Sequence, residues 1–173
     1  MNRFADYFSN YVNDDTITYI GNGDITSFTV SRQDRELAVG LNLESFIDYG
    51  IIENSQNQIA RAMELKKVHI NPRFPKSEFS LDNIERILEY VRHESPAANG
   101  FFDGCEAELE DRTLTLCLKK GGKDVLESQK VDRAIANKIY ELFDLDFVVI
   151  FLEVQAFDIE KAVQKAVEER RAE

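Results

Sequence analysis

A chain of 173 residues with 43% hydrophobic and 31% charged side chains is long enough for one ordinary domain or two small ones, and its composition is that of a folded chain. The formal net charge is −11, with 7 basic against 10 acidic residues over 1–75 and 14 against 22 over 76–173. Nucleic-acid binding draws most of its affinity from neutralising phosphates, so this balance argues against DNA or RNA as the main partner and favours protein partners or simple solubility. The chain has no apolar run of about 18 residues that would make a transmembrane helix.

The N-terminus, Met1-Asn2-Arg3-Phe4-Ala5-Asp6, lacks a signal-peptide pattern, which makes the cytoplasm the expected location. Phe4, Tyr7, Phe8 and Tyr11 recur at three- and four-residue spacings and predict a short helix over residues 1–13. Its aromatic face is either packed on the domain or offered to a partner. Asn13-Asp14-Asp15 is expected to end it. Ile17-Thr18-Tyr19-Ile20 reads as a short strand and Gly21-Asn22-Gly23-Asp24 as a turn. Residues 25–30 read as a second strand and Arg32-Gln33-Asp34-Arg35 as a polar turn. Leu37, Val39, Leu41 and Leu43 then alternate as the buried face of another strand. Residues 45–64 are expected to be helical with an interruption near Gly50, carrying Ile51, Ile52, Ile59, Ala60 and Met63 as the apolar stripe. Lys67-Val68-His69-Ile70 completes a β-β-α-β unit. Pro72 and Pro75 are expected to block helix and sheet pairing alike, which places the domain boundary in residues 71–77.

Ser80 is the expected N-cap of a helix over residues 81–93 whose Leu81, Ile84, Leu88 and Val91 share a face, and Ser95-Pro96 stops it. In Asn99-Gly100-Phe101-Phe102-Asp103-Gly104-Cys105-Glu106, two glycines bracket two phenylalanines. The stretch is too apolar for a solvated loop and too glycine-rich for a helix interior. It predicts a tight entry into a sheet, with Gly100, Phe101, Phe102, Gly104 and Cys105 as structural residues and the rings packed beneath. A hairpin follows around Glu110-Asp111-Arg112-Thr113. A two-residue loop pairs Leu109 with Leu114, Ala107 with Leu116 and Cys105 with Leu118, giving an apolar face; Glu106, Glu108, Thr115 and Cys117 lie on the other. Cys105 then points inward and Cys117 outward, so they form no bridge within the chain, and two reduced cysteines fit a cytoplasmic protein. His69 and His93 are the only histidines and have no CxxC or HxxxH company, so neither a metal nor a catalytic role is assigned.

Lys119-Lys120-Gly121-Gly122-Lys123 is a basic turn. It is either a solvated connection or a weak phosphate contact through Lys119, Lys120 and Lys123, without the GxxxxGKS or GxxxxGKT spacing that cradles a triphosphate. Residues 123–127 read as one helical turn and Ser128 as the cap of a longer helix that buries Val131, Ala134, Ile135, Ile139 and Leu142. Asp144-Leu145-Asp146 breaks that helix. Phe147-Val148-Val149-Ile150-Phe151-Leu152 is expected to be a central strand buried on both faces. Asp158 is read as the cap of a last helix to about Ala172, with Ile159, Val163, Ala166 and Val167 on its stripe. Its solvated end suggests a polypeptide meant to continue.

The expected fold class is α+β. A β-β-α-β unit over 1–71 is followed, over 72–157, by an α-β-β-α-α-β order resembling type II KH domains, and 158–173 form a C-terminal helix or linker. KH domains grip single strands with a GxxG loop between two helices. Here the corresponding Leu126-Glu127-Ser128-Gln129 holds no glycine.

Gly100-Phe101-Phe102-Asp103-Gly104-Cys105, Glu108-Leu109-Glu110, the strand over 114–118 and Leu142-Phe143-Asp144-Leu145-Asp146 together resemble the N-terminal region of PolC-type DNA polymerase III α subunits. Val30-Ser31-Arg32 and Arg35-Glu36-Leu37 are similar to the segment before it, so the resemblance covers most of residues 16–155. It implies a parent DNA-directed DNA polymerase with 3′–5′ exonuclease. The divalent metal ions of that enzyme would lie in PHP, exonuclease and polymerase regions that this sequence does not contain, so no cofactor is expected in this chain. It also implies a non-catalytic docking role toward replisome proteins such as the clamp-loader τ subunit, whose α-binding domain the family's N-terminal region is similar to. The alternative is a stand-alone degenerate KH-like domain that binds single-stranded nucleic acid.

Overall fold

A computed structural model describes residues 2–154. The chain is mixed α+β and clusters into two units. Of the described residues, the first comprises 2–90 and 139–145, the second 91–138 and 146–154.

The first unit opens with α1 (Phe4–Phe8) and α2 (Asp14–Ile20). Of the four aromatic residues expected on one helical face, Phe4 and Phe8 are buried, one turn apart, and Tyr7 and Tyr11 are exposed. Residues 17–20, expected as a strand, are helical. Asn13 does not end a helix but begins one: its side chain accepts a hydrogen bond from the Thr16 amide at 2.9 Å, and Asp14 and Asp15 sit in the positive first turn. That cap outweighs the β propensity of Ile17-Thr18-Tyr19-Ile20.

Strands β1 (Asp24–Ser31) and β2 (Glu36–Asn42) pair antiparallel, and α3 (Tyr49–Ala62) leads to β3 (Lys67–Arg73), which pairs parallel with β2. Leu37, Val39, Leu41 and Leu43 are buried as expected, with Val68 and Ile70 on β3 and Ile52 and Ile59 on α3. Gly50 does not interrupt α3; it lies in its first turn, and residues 43–48 are an irregular lead-in. Pro72 does not block pairing either, since it stands opposite Leu41 in the ladder. Among the described residues β3 pairs on one side only, and an edge strand tolerates a missing N–H.

An aromatic cluster completes this unit. Phe46 and Phe74 meet edge-on at 5.1 Å between centroids, and Phe143 lies 5.7 Å from each. Tyr90 adds a fourth buried ring and donates its hydroxyl hydrogen to the Ile47 carbonyl at 2.9 Å. Burial, helped by the nearby Asp48 carboxylate, pushes that phenol well above the usual tyrosine range. Arg86 covers Phe46 at 4.9 Å and pairs with Asp48.

Ser80 caps a single 3-10 turn, accepting from the Asp82 amide, and α4 (Ile84–Arg92) follows. The boundary between the two units falls within α4, after Tyr90. The second unit continues with β4 (Glu106–Glu110), β5 (Thr113–Leu118), α5 (Lys123–Ser128), α6 (Val131–Phe143), of which residues from Ile139 on belong to the first unit, and β6 (Val148–Glu153). Leu109 stands opposite Leu114 and Ala107 opposite Leu116 as expected, but β4 begins at Glu106, so Cys105, expected opposite Leu118, precedes the ladder. Leu114, Leu116 and Leu118 are fully buried, whereas Leu109 on the edge strand is 38% exposed. Ser128 does not cap α6; it closes α5 and donates its hydroxyl hydrogen to the Val125 carbonyl.

Among the described residues, β6 is not a central strand. The order is β4-β5-β6, with β6 parallel to β5 at the sheet edge. Val149 and Phe151 are buried, but Val148 is 62%, Ile150 41% and Leu152 50% exposed. The helix expected from Asp158 lies outside the described residues. Among the described residues, no helix is long and apolar enough to cross a membrane.

Candidate interaction site

The glycine-bracketed stretch is the entry into β4. Gly100 and Gly104 have φ of 86° and 67°, conformations that side chains rarely adopt. Phe102 between them is fully buried, and its ring lies 6.0 Å from that of Phe151 on β6. Phe101 is half-buried and lies against Gly122, where a Cβ would overlap its ring. Cys105 is buried and Cys117 half-buried, and neither forms a disulfide among the described residues.

The three lysines of the basic turn all meet carboxylates. Lys119 pairs with Glu106 at 2.8 Å and Lys120 with Asp103 at 2.9 Å. The Lys123 ammonium lies 3.8 Å from Glu127, and its backbone amide donates to Glu153 at 2.6 Å. The hydrogen bond and charge of Lys120 hold the Asp103 carboxyl below the usual carboxylate range, with Arg92 adding to the effect. The Lys119 hydrogen bond and charge likewise lower Glu106, and Glu106 raises Lys119 in return. A phosphate arriving at this turn would compete with acids already in place.

The α5–α6 junction runs through Ser128, Gln129 and Lys130, and Lys130 has φ of 56°. It holds no glycine. Backbone there cannot approach a nucleic-acid strand as closely as a glycine-flanked loop can.

The outer face of the β4-β5-β6 sheet is the feature that sequence reasoning missed. Strand alternation and the observed register set nine side chains in three rungs: Glu110–Thr113–Val148, Glu108–Thr115–Ile150 and Glu106–Cys117–Leu152. One edge is a row of carboxylates, the centre is small, and the other edge is a row of exposed aliphatic side chains. Glu106, Glu108, Thr115 and Cys117 were legible as one face from the hairpin alone. The aliphatic row was hidden because a run of six apolar residues reads as a doubly buried strand.

His69 is half-buried on β3 and His93 is exposed after α4. Among the described residues, no group of three His, Cys, Asp or Glu side chains is placed to hold a metal ion. The outer face of this sheet offers carboxylates, small hydroxyls, one thiol and an aliphatic ridge. No protein-family model matches this chain, and no curated protein matches it.

Proposed function

We propose that this chain is the non-catalytic N-terminal interaction region of a PolC-type replicative DNA polymerase III α subunit, acting in the cytoplasm by docking to replisome proteins such as the clamp-loader τ subunit. The parentage rests on the resemblance carried by Gly100-Phe101-Phe102-Asp103-Gly104-Cys105 and the hairpin and strand after it. The observation that carries docking over strand binding is the glycine-free α5–α6 junction. The ion-paired lysines support it. A KH-like second unit fits the order α4-β4-β5-α5-α6-β6, and in this reading it has become a protein-binding module.

That same order, with the basic turn at Lys119, Lys120 and Lys123, supports a second reading as a degenerate KH-like binder of single-stranded nucleic acid. Fluorescence anisotropy with labelled single-stranded DNA at two salt concentrations separates the two. Docking predicts no saturable binding at low salt; submicromolar binding that weakens steeply with salt would overturn it. Parentage is tested on the DNA itself. A reading frame that continues past codon 173 into exonuclease and polymerase sequence is the expected result, and a stop codon there removes the polymerase reading.

A further inference from the structure

We infer that the outer face of β4-β5-β6 is the docking surface of the second unit, and that its occupant is a basic amphipathic helix of a partner protein. The inference deepens the proposed docking function and rests on it. Three observations carry it. Val148, Ile150 and Leu152 form a continuous exposed aliphatic row on β6. Glu106, Glu108 and Glu110 form a parallel exposed row on β4, and no ion-pair partner is found for Glu108 or Glu110 among the described residues. The β1-β2-β3 sheet, of similar construction, places Lys67, His69, Asn71 and Arg73 where β6 has its aliphatic row, so strand pairing alone does not call for apolar groups there.

The dimensions select a helix. Neighbouring strands lie about 4.8 Å apart, so the carboxylate and aliphatic rows are about 10 Å apart. A helix with its side chains is about 10–12 Å across. Lying along β5 over Thr113, Thr115 and Cys117, it would set one flank on the carboxylates and the other on the aliphatic row. Three rungs span about 13 Å, or about nine helical residues. The flank over β6 must be apolar at helical spacing, and the flank over β4 must carry Lys or Arg.

Charge and symmetry argue against two other occupants. A nucleic acid would bring phosphates to the carboxylate row. An aligned face-to-face pair of two copies, with its two-fold axis across the strands, sets carboxylates on carboxylates. With the axis along the strands, it buries carboxylates against the aliphatic row.

The test is an amide chemical-shift titration of the full chain with two synthetic helical peptides of about fifteen residues. Both carry Leu at i, i+3, i+4 and i+7; one has Lys on the flank and the other has Glu at the same places. The Lys peptide is expected to shift amides of residues 106–117 and 148–152 and to bind at least tenfold more tightly than the Glu peptide. Ile150→Lys should weaken it at least tenfold, and Glu108→Lys with Glu110→Lys should reverse the preference between peptides. All three positions are exposed, and unchanged thermal unfolding shows that the variants fold. Equal binding of both peptides, shifts elsewhere, or indifference to these substitutions would overturn the inference. So would a dimer in sedimentation that Ile150→Lys abolishes. Co-purification with the clamp-loader subunit reads the docking function separately. Unchanged binding of the Ile150→Lys chain would keep that function and overturn this face. No binding by the unaltered chain would remove the named partner, and the peptide result would stand by itself.

Discussion

In each unit a hairpin is followed by a helical crossover and a third strand parallel to the second: β1-β2 and β3 through α3, β4-β5 and β6 through α5 and α6. The inner faces are alike, with Leu37, Val39 and Leu41 buried in one centre strand and Leu114, Leu116 and Leu118 in the other. The outer faces are not. Across the first sheet the rungs are Ser31–Glu36–Lys67, Thr29–Ala38–His69 and Ser27–Gly40–Asn71, polar or small throughout. Across the second, the corresponding third strand presents Val148, Ile150 and Leu152. Inner faces are fixed by burial, whereas an outer face is free to be polar, so an aliphatic row there asks for an occupant. The contrast separates what builds the sheet from what uses it.

The largest effects should come from the two cores, and they test whether the units weigh equally. Phe102 packs near Phe151 in the second unit, and Phe143 lies within the four-ring cluster of the first. Replacing either fully buried ring with Ala should cost about 3–5 kcal/mol in a denaturant titration. Amide hydrogen exchange locates the damage: Phe102→Ala should accelerate exchange most in β5, and Phe143→Ala most in β2. A loss under about 1 kcal/mol for Phe102→Ala would mean that its ring is not a core residue.

The same division explains what could be read from sequence. Period-two patterns surrounded by turn residues gave β2 and the β4-β5 register to within one residue at their ends, because one face of each is buried. Residues 17–20 failed because a cap four residues upstream, at Asn13, decided the helix, and β propensity does not see a cap. Phe46, Phe74 and Phe143 escaped notice because two of them lie outside helices and strands and the third ends a helix, so no periodicity marks them. The aliphatic row of β6 failed for a different reason. Apolar composition tells that a strand avoids water, and only sheet order tells which side has a neighbour. The glycines and buried phenylalanine of 100–104 were legible as structure; that Asp103 and Glu106 would meet Lys120 and Lys119 was not, since the pairs join residues 17 and 13 apart.

Intermediate effects should separate two glycines. Gly122 precedes α5 with φ of 97° and has the Phe101 ring where a Cβ would go. Gly122→Ala should therefore destabilise by about 1–3 kcal/mol, the usual range for a strained backbone site. Gly50, in the first turn of α3, has open space at that position and ordinary helical backbone. Gly50→Ala should instead stabilise by about 0.4–1 kcal/mol, by restricting the unfolded chain. Thermal unfolding of the two variants should move in opposite directions, and a shared direction would contradict the assigned backbone at one of them.

The smallest effect is electrostatic and confined to the second unit. Asp103 and Glu106 are held below the usual carboxylate range by Lys120 and Lys119, so around those values the unfolded chain binds more protons than the folded one. Their contribution is complete above the ordinary carboxylate pKa and is lost as pH falls through the lowered folded values. Lys119 is raised by Glu106, so its contribution is complete below the ordinary lysine range and is lost as pH rises through the folded value. All these groups face solvent, so the effect is small and screened by salt. Lys120→Ala should move the Asp103 carboxyl up toward the ordinary value in a carbon-detected titration and leave Glu106 where it is. A shift of both together would mean that the two pairs act as one network. The Gly104 turn would then be held by charge as well as by Phe102 beneath it, and the acid limb of the stability curve should flatten in Lys120→Ala by more than one carboxyl can account for.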